Sequence, residues 1–281
     1  MNPELPTSAT SSESHANVFA HGCTDVGRVR ESNQDSFFSD TDLGLFLVAD
    51  GMGGRAGGEV ASQLAAETIA SEVERNWQRL TESDSRARLS FFSSAINKAS
   101  LRIYERSLEL PQYRGMGTTA TVLWLTPGTH SMSTAAITDE QMDSEGPSDV
   151  ATAVISHVGD SRCYLCRAGL LFQLTDDHSL VNEQIKAGVI SRRDPMISQI
   201  RNVITRCVGY QEEEEVDTLS LEVMPGDRFL LCSDGLSTKV TDEEIRIALM
   251  RQDLTDVPEY LTELANERGG DDNITVLVVS T

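Results

Sequence analysis

Short apolar runs bounded by Gly, Asp or Thr recur along the chain. They are "LGLFLVAD" ending at Asp50, "TTATVLWL" at Leu125, "ATAVISHVGD" at Asp160, "DRFLLCSD" at Asp234 and "NITVLVV" at Val279. Each is rich in β-branched or large apolar residues and short enough to be a buried strand. Between some of them the apolar period changes to that of a helix. Leu64, Ile69, Val73 and Trp77 mark one helix, and Phe92, Ala95, Ile96, Ala99 and Ile103 mark a second. Ser179 to Ala187 predicts a third, stopped by Gly188. "TDEE" at Thr241 is a capping box opening a helix to about Met250, and a last helix runs from Pro258 to about Arg268. Strands arrive in succession and helices in pairs, so the pattern is not a regular β-α-β alternation. That predicts an α+β fold, with sheets packed together and helices outside.

The first seventeen residues, "MNPELPTSATSSESHAN", carry no basic start and no apolar stretch, so they read as a disordered tail and not as a signal or anchor. The segment 127–149 separates two strands with polar, acidic, turn-rich sequence and reads as a surface loop. "QEEEE", Gln211 to Glu215, reads as a solvated turn. No apolar run reaches the length of a membrane span, so the chain reads as soluble and cytoplasmic. Its formal charge of −21 disfavours nucleic acid or an anionic membrane surface as partner, since either would require a basic face. The five cysteines make no disulfide framework. Cys163 and Cys166 form a C-x-x-C within an alternating, hairpin-like stretch. Residues three apart on a strand point to opposite faces, which disfavours a shared zinc ion.

The acidic excess becomes informative when its placement is considered. Asp50, Asp160 and Asp234 end apolar strands, Asp272 precedes one in "GGDDN", and Asp35 precedes one in "RESNQDSFF". If those strands share a core, their ends converge and the carboxylates crowd. Such crowding is costly unless a cation neutralises it. Carboxylates and carbonyls without histidine or thiolate support suit Mg2+ or Mn2+ and argue against zinc. No stretch has the order of a calcium-binding loop. Paired hard cations are a recurrent device for phosphoryl chemistry, which also calls for a cationic phosphate clamp, preferably arginine. Arg30, five residues before Asp35, is the candidate.

One stretch permits a rival reading. In "VADGMGGRAGGEVAS", Val48 to Ser62, the residues Gly51 to Ala56 match the G-x-G-x-x-[GA] of dinucleotide-binding turns. Asp50 directly before the first glycine would sit against a pyrophosphate, however. About twenty residues on, where that fold ends a second strand in an acid, the chain is still helical. There is no G-K-[ST], which excludes a P-loop.

Taken in order, "GRVRESNQDSFF", "LFLVADGMGGRAGGEVAS", "GMGTTATVLWL", "SHVGDSRCYL", "LTDDHSLV", "NVITRCVG", "FLLCSDGL" and "GGDDNITVLVV" resemble the motifs of the metal-dependent protein serine/threonine phosphatases (the PPM, or type 2C, family), in particular its compact bacterial branch. The likeness runs from about Phe19 to Val279. It implies a single domain over 18–281, a four-layer α-β-β-α sandwich of two antiparallel sheets with a metal centre at one end. It implies hydrolysis of phosphoserine and phosphothreonine in proteins by direct attack of a metal-bridging hydroxide, without a phosphoenzyme. By motif, Asp50 would bridge two Mg2+ or Mn2+ ions, the Gly51 carbonyl would bind the second, and Asp234 and Asp272 would complete the first. Asp35 would hold a metal-bound water, Asp160 with Asp234 would form a weaker third ion site, and Arg30 would bind the phosphate. Residues 178–208 would form a flap beside the site.

There are departures. Met52 stands where many eukaryotic members carry histidine, Arg55 where many bacterial members do, and Gln34 replaces a carboxylate. Arginine cannot serve as a general acid near neutral pH, so leaving-group protonation would fall to a metal-bound water, or Arg55 would serve only as a charge for the substrate. The partners implied are phosphorylated proteins, with a monomer favoured. The alternative is a catalytically silent phosphoprotein-binding domain on the same fold.

Overall fold

The computed structural model describes residues 18–126, 151–191, 194, 196–200 and 202–281, without the side chains of residues 55, 56 and 198. The N-terminal tail and the acidic segment 127–149 lie outside these residues. The first half contains β1 (Phe19–Asp25), β2 (Asp35–Asp40), β3 (Leu45–Met52), α1 (Gly54–Glu82), α2 (Ser85–Glu109), β4 (Gly117–Thr118) and β5 (Ala120–Leu125). Next come β6 (Thr152–Val158), β7 (Arg162–Arg167), β8 (Leu170–Gln173), α3 (Leu180–Lys186) and α4 (Ile197–Ile200). The chain closes with β9 (Asp217–Glu222), β10 (Arg228–Cys232), α5 (Asp234–Ser237), α6 (Asp242–Leu249), α7 (Val257–Glu267) and β11 (Ile274–Ser280).

Two antiparallel sheets form. One has the order β1-β11-β10-β7-β8, and the other the order β2-β3-β5-β6-β9 with β4 paired to β3. Strand alternation distributes each apolar run between two layers. Along β3, Phe46 and Val48 enter the layer between the sheets, where they meet Phe229, Leu231, Leu277 and Val279. Leu45, Leu47 and Ala49 point the other way, into a cluster with Ile69 and Val73 of α1 and Phe92 and Ile96 of α2. On the outer face of the first sheet, Leu230, Cys232, Val276 and Val278 pack with Ile245 of α6 and Leu261 and Ala265 of α7. These three apolar layers make the α-β-β-α sandwich that the resemblance implied. Because both faces of the central strands are covered, those strands read as continuous apolar runs, which is unusual for antiparallel sheets.

The C-x-x-C divides as the strand geometry requires: Cys163 lies between the sheets and Cys166 in the outer cluster. The capping box is formed, with Thr241 Oγ1 accepting from the Glu244 amide, and Pro258 stands in the first turn of α7. Among the described residues no helix is long and apolar enough to cross a membrane. Much of the glycine cluster lies inside the helix, because α1 begins at Gly54 and contains Gly57 and Gly58. A Cβ on Gly58 would stand 2.6 Å from the Gly51 carbonyl carbon, so the first turn of the helix lies directly on the Gly51 peptide.

Trp124 anchors the layer between helices and sheet. It is fully buried, its indole N–H donates to the Leu43 carbonyl at 3.0 Å, and its ring meets Trp77 edge-on at 6.2 Å. Trp124→Ala is expected to cost about 3–5 kcal/mol, the usual range for deleting a buried aromatic. Urea unfolding measures this; a loss below 1 kcal/mol would contradict the packing described.

Candidate metal centre

The sandwich brings the five aspartates to one end of the fold. Asp35 opens β2 and is the cross-strand partner of Asp50 on β3. Asp160 follows β6, Asp234 opens α5 two residues after β10 ends, and Asp272 stands two residues before β11. Arg30, Asp50, Gly51, Asp160, Asp234 and Asp272 all line one cavity of about 1160 Å3. Asp35 is buried behind it. One Asp35 carboxylate oxygen accepts from Ser233 Oγ and Thr275 Oγ1, both at 2.7 Å, while the other has no hydrogen-bond partner among the described residues.

The crowding expected from the sequence appears in the electrostatics. Burial pushes Asp35 up to about 7; the Thr275 and Ser233 hydroxyls oppose the shift, and the charges of Asp234 and Asp272 add to it. Burial and then the charge of Asp234 push Asp160 up to about 8. Asp50 is raised well above the ordinary carboxylate range by burial and by the charges of Asp35, Asp234, Asp160 and Asp272. Four acids thus oppose the ionisation of a fifth, the arrangement that a divalent cation relieves.

The donor set fits hard cations. Carboxylates, the Gly51 carbonyl and the unpartnered Asp35 oxygen are all oxygen donors. Cys207 also lines the cavity, but burial pushes its thiol up to about 11, which disfavours the thiolate that a soft metal would need. Among the described residues no three His, Cys, Asp or Glu side chains are gathered tightly enough to hold one ion alone. Carbonyls and waters would therefore share the coordination, as they commonly do for Mg2+ and Mn2+.

The supporting framework is specific. The Asp50 carbonyl accepts from Thr119 N and Thr118 Oγ1, and the Asp50 amide donates to Thr119 Oγ1. Thr119 Oγ1 also bonds Ser161 Oγ at 2.7 Å, which joins the Asp50 strand to the Asp160 turn. Gly51 has no room for a side chain, since a Cβ would lie 2.0 Å from the Gly58 carbonyl oxygen. Arg30 is half-exposed in the loop between β1 and β2, and its guanidinium donates to Asp272 Oδ2 at 2.6 Å.

Asn273 fixes that loop. Its Oδ1 accepts from Gln34 N, and its Nδ2 donates to the Val26 and Ser32 carbonyls. At Gly27 the backbone is left-handed (φ +82°), and a Cβ there would lie 2.2 Å from the Asp272 carbonyl oxygen. Asn273, Thr118 and Thr119 are functional supports that the sequence reading did not single out. Their only signal is a polar residue at the start of an otherwise apolar strand.

Met52 lines the cavity, and the Arg55 side chain lies outside the described residues. The acidic run corrects an expectation. Gln211, Glu212 and Glu213 are exposed, but Glu214 is half-buried, with its amide bonded to Asn97 Oδ1, and both Glu214 and Glu215 line the same cavity. The segment 178–208 closes at its base through an antiparallel bridge between Ser179 and Ile204.

Comparison with known proteins agrees with this geometry. The sequence model of the family described as protein phosphatase 2C matches residues 27–274. The chain is 34% identical over 260 residues to the serine/threonine phosphatase stp of Listeria monocytogenes serotype 4b (strain F2365), covering 91% of this chain and 93% of that one. It resembles the solved serine/threonine phosphatase PstP/Ppp of Mycobacterium tuberculosis with a TM-score of 0.77 and 32% identity, over 94% of this chain and 98% of that one. A catalytic domain of PstP in complex with two manganese ions matches with a TM-score of 0.73 and 32% identity, over 94% of this chain and 97% of that one. Fold, motif order and these relatives agree: the chain belongs to the protein phosphatase 2C family of metal-dependent serine/threonine phosphatases.

Proposed function

We propose that residues 18–281 form one phosphatase domain that removes phosphate from phosphoserine and phosphothreonine in proteins, using Mg2+ or Mn2+. The observation that carries this reading is the convergence of four aspartates, Asp50, Asp160, Asp234 and Asp272, on one cavity that also holds Arg30, with a fifth, Asp35, buried behind it as the strand partner of Asp50. Asp50, Asp234, Asp272 and the Gly51 carbonyl would hold two ions, and Asp160 with Asp234 a third. Bound there, divalent ions supply Lewis acidity, activating water and neutralising phosphoryl charge.

The remaining work falls to the chain's own groups. Asp35 is anchored by Ser233 and Thr275 through one oxygen, so its other oxygen is free to orient a water at the edge of the site. Arg30 already donates to Asp272. Were Asp272 to hold an ion, the Arg30 guanidinium would be free to present its planar fork to the phosphate oxygens. Met52 cannot donate a proton to the departing alkoxide. Solvent in the cavity takes that role. Five unbridged cysteines suit a reducing, cytoplasmic compartment, and the reading is of a monomer.

A phosphopeptide assay tests this. Release of inorganic phosphate from phosphoserine and phosphothreonine peptides is expected with Mn2+ or Mg2+ and is lost with chelator. Phosphopeptide binding without turnover would instead indicate a silent recognition domain.

A further inference from the structure

His178 is almost fully buried at the junction of three parts of the fold. It grips the Gly159 peptide from both sides: its amide donates to the Gly159 carbonyl at 2.7 Å, and its Nδ1 accepts from the Gly159 amide at 3.0 Å. Gly159 has a left-handed backbone (φ +114°) and directly precedes Asp160; a Cβ there would lie 2.5 Å from Thr119 Cγ2. A conformation this constrained leaves the direction of Asp160 set by whatever holds the Gly159 peptide.

The other end of the imidazole faces a different element. With Nδ1 accepting, Nε2 carries the hydrogen and donates to Asp217 Oδ2 at 3.2 Å. The second Asp217 oxygen accepts from Arg206 at 2.8 Å, near the end of the 178–208 segment. The His178 carbonyl accepts from Thr205 N, and Leu180 N donates to the Val203 carbonyl, so both strands of the segment's neck meet at this residue.

We propose that His178 is a positioning residue with two separable arms. The Nδ1 arm orients Asp160 through Gly159, and the Nε2 arm fixes the neck of the 178–208 segment, through Asp217 and Arg206, at the rim of the substrate cavity. This rests on the reading of Asp160 as an ion ligand. The two arms predict different consequences from two conservative changes. The side-chain oxygen of asparagine falls near the Nδ1 position but does not reach Asp217. Glutamine reaches Asp217 with its amide N–H but leaves the Gly159 amide without its acceptor.

The test is Mn2+ titration calorimetry on His178→Asn, His178→Gln and Asp160→Asn, with phosphopeptide KM and melting temperature measured in parallel. His178→Gln is expected to weaken the weakest-bound Mn2+ by about tenfold, the usual lower size of an effect transmitted through a ligand's supporting contact, with peptide KM little changed. His178→Asn is expected to keep the wild-type isotherm while peptide KM rises several-fold. The same change in both variants, no change in either, or losses that simply follow melting temperature would overturn the proposal. If Asp160→Asn leaves the isotherm intact, the ion assignment fails and the positioning role falls with it. If only His178→Gln is unaffected, the ion assignment stands and the positioning role alone fails. Should His178→Gln not fold, His178→Asn decides: a normal isotherm with raised KM supports the proposal, and a weakened isotherm overturns it.

Discussion

Asp50→Asn is expected to lower phosphopeptide turnover by about a thousandfold or more. The carboxylate is the acid toward which Asp35, Asp160, Asp234 and Asp272 all direct their charge, and it stands between the Asp35 strand partner and the open cavity. Replacing it removes a hard anionic donor at the point where two ions would share a ligand. The stabilisation that a metal ion gives a developing phosphoryl charge amounts to several kcal/mol, and each 1.4 kcal/mol is tenfold in rate. The same substitution relieves crowding in the metal-free protein, so its melting temperature in chelator should match or exceed that of the wild type. Loss of turnover with retained stability separates loss of function from misfolding. Steady-state assays with Mn2+, alongside thermal melts in chelator, measure both. A variant retaining a tenth or more of wild-type turnover would contradict the role given to Asp50.

The second large effect concerns pH and metal together. Asp35 is pushed up to about 7 and Asp160 to about 8, whereas both return to about 3.9 when unfolded. Between those values the folded protein holds protons that the unfolded chain has released. Stability in chelator should therefore fall as pH rises from about 4 to about 8 and level off above that, with a slope of at most about 1.4 kcal/mol per pH unit for each proton involved.

His157 shifts in the opposite direction. Burial and the neighbouring His178 hold it down at about 3, against about 6.5 when unfolded, so its contribution is lost as pH falls below about 6.5. Above pH 7 the acids act alone. Because cations bind the ionised carboxylates, the stabilisation by Mn2+ should grow over the window in which the chelated protein weakens. Melting temperatures with Mn2+ and with chelator, compared from pH 6 to 8.5, should diverge. A constant difference would show that these acids do not meet the ion.

The parts of this account that were legible in the sequence share a physical cause. β3, β5, β6, β10 and β11 are covered on both faces, so each writes a continuous apolar run that ends where the sandwich ends. An aspartate at such an end is conspicuous, which is why Asp50, Asp160, Asp234 and Asp272 could be named. β1 and β9 are largely half-buried and β8 is largely exposed, so none of them carries a comparable apolar signal. The glycines near Gly51 signalled close approach correctly, but not its partner: Gly58 lies against the Gly51 peptide from inside α1.

Asn273, Thr119 and His178 could not be read from the sequence for a different reason. Their importance lies in hydrogen bonds to backbone that is distant along the chain, such as the bond from Asn273 Nδ2 to the Val26 carbonyl, 247 residues apart. No local pattern records such a pairing.

Diffraction at the manganese absorption edge from crystals grown with Mn2+ tests the central claim most directly. The account predicts at least two anomalous peaks in the cavity, with the Asp50 carboxylate between them and Asp234 and Asp272 on one of the ions. Anomalous density elsewhere, or none among these aspartates at saturating Mn2+, would contradict it.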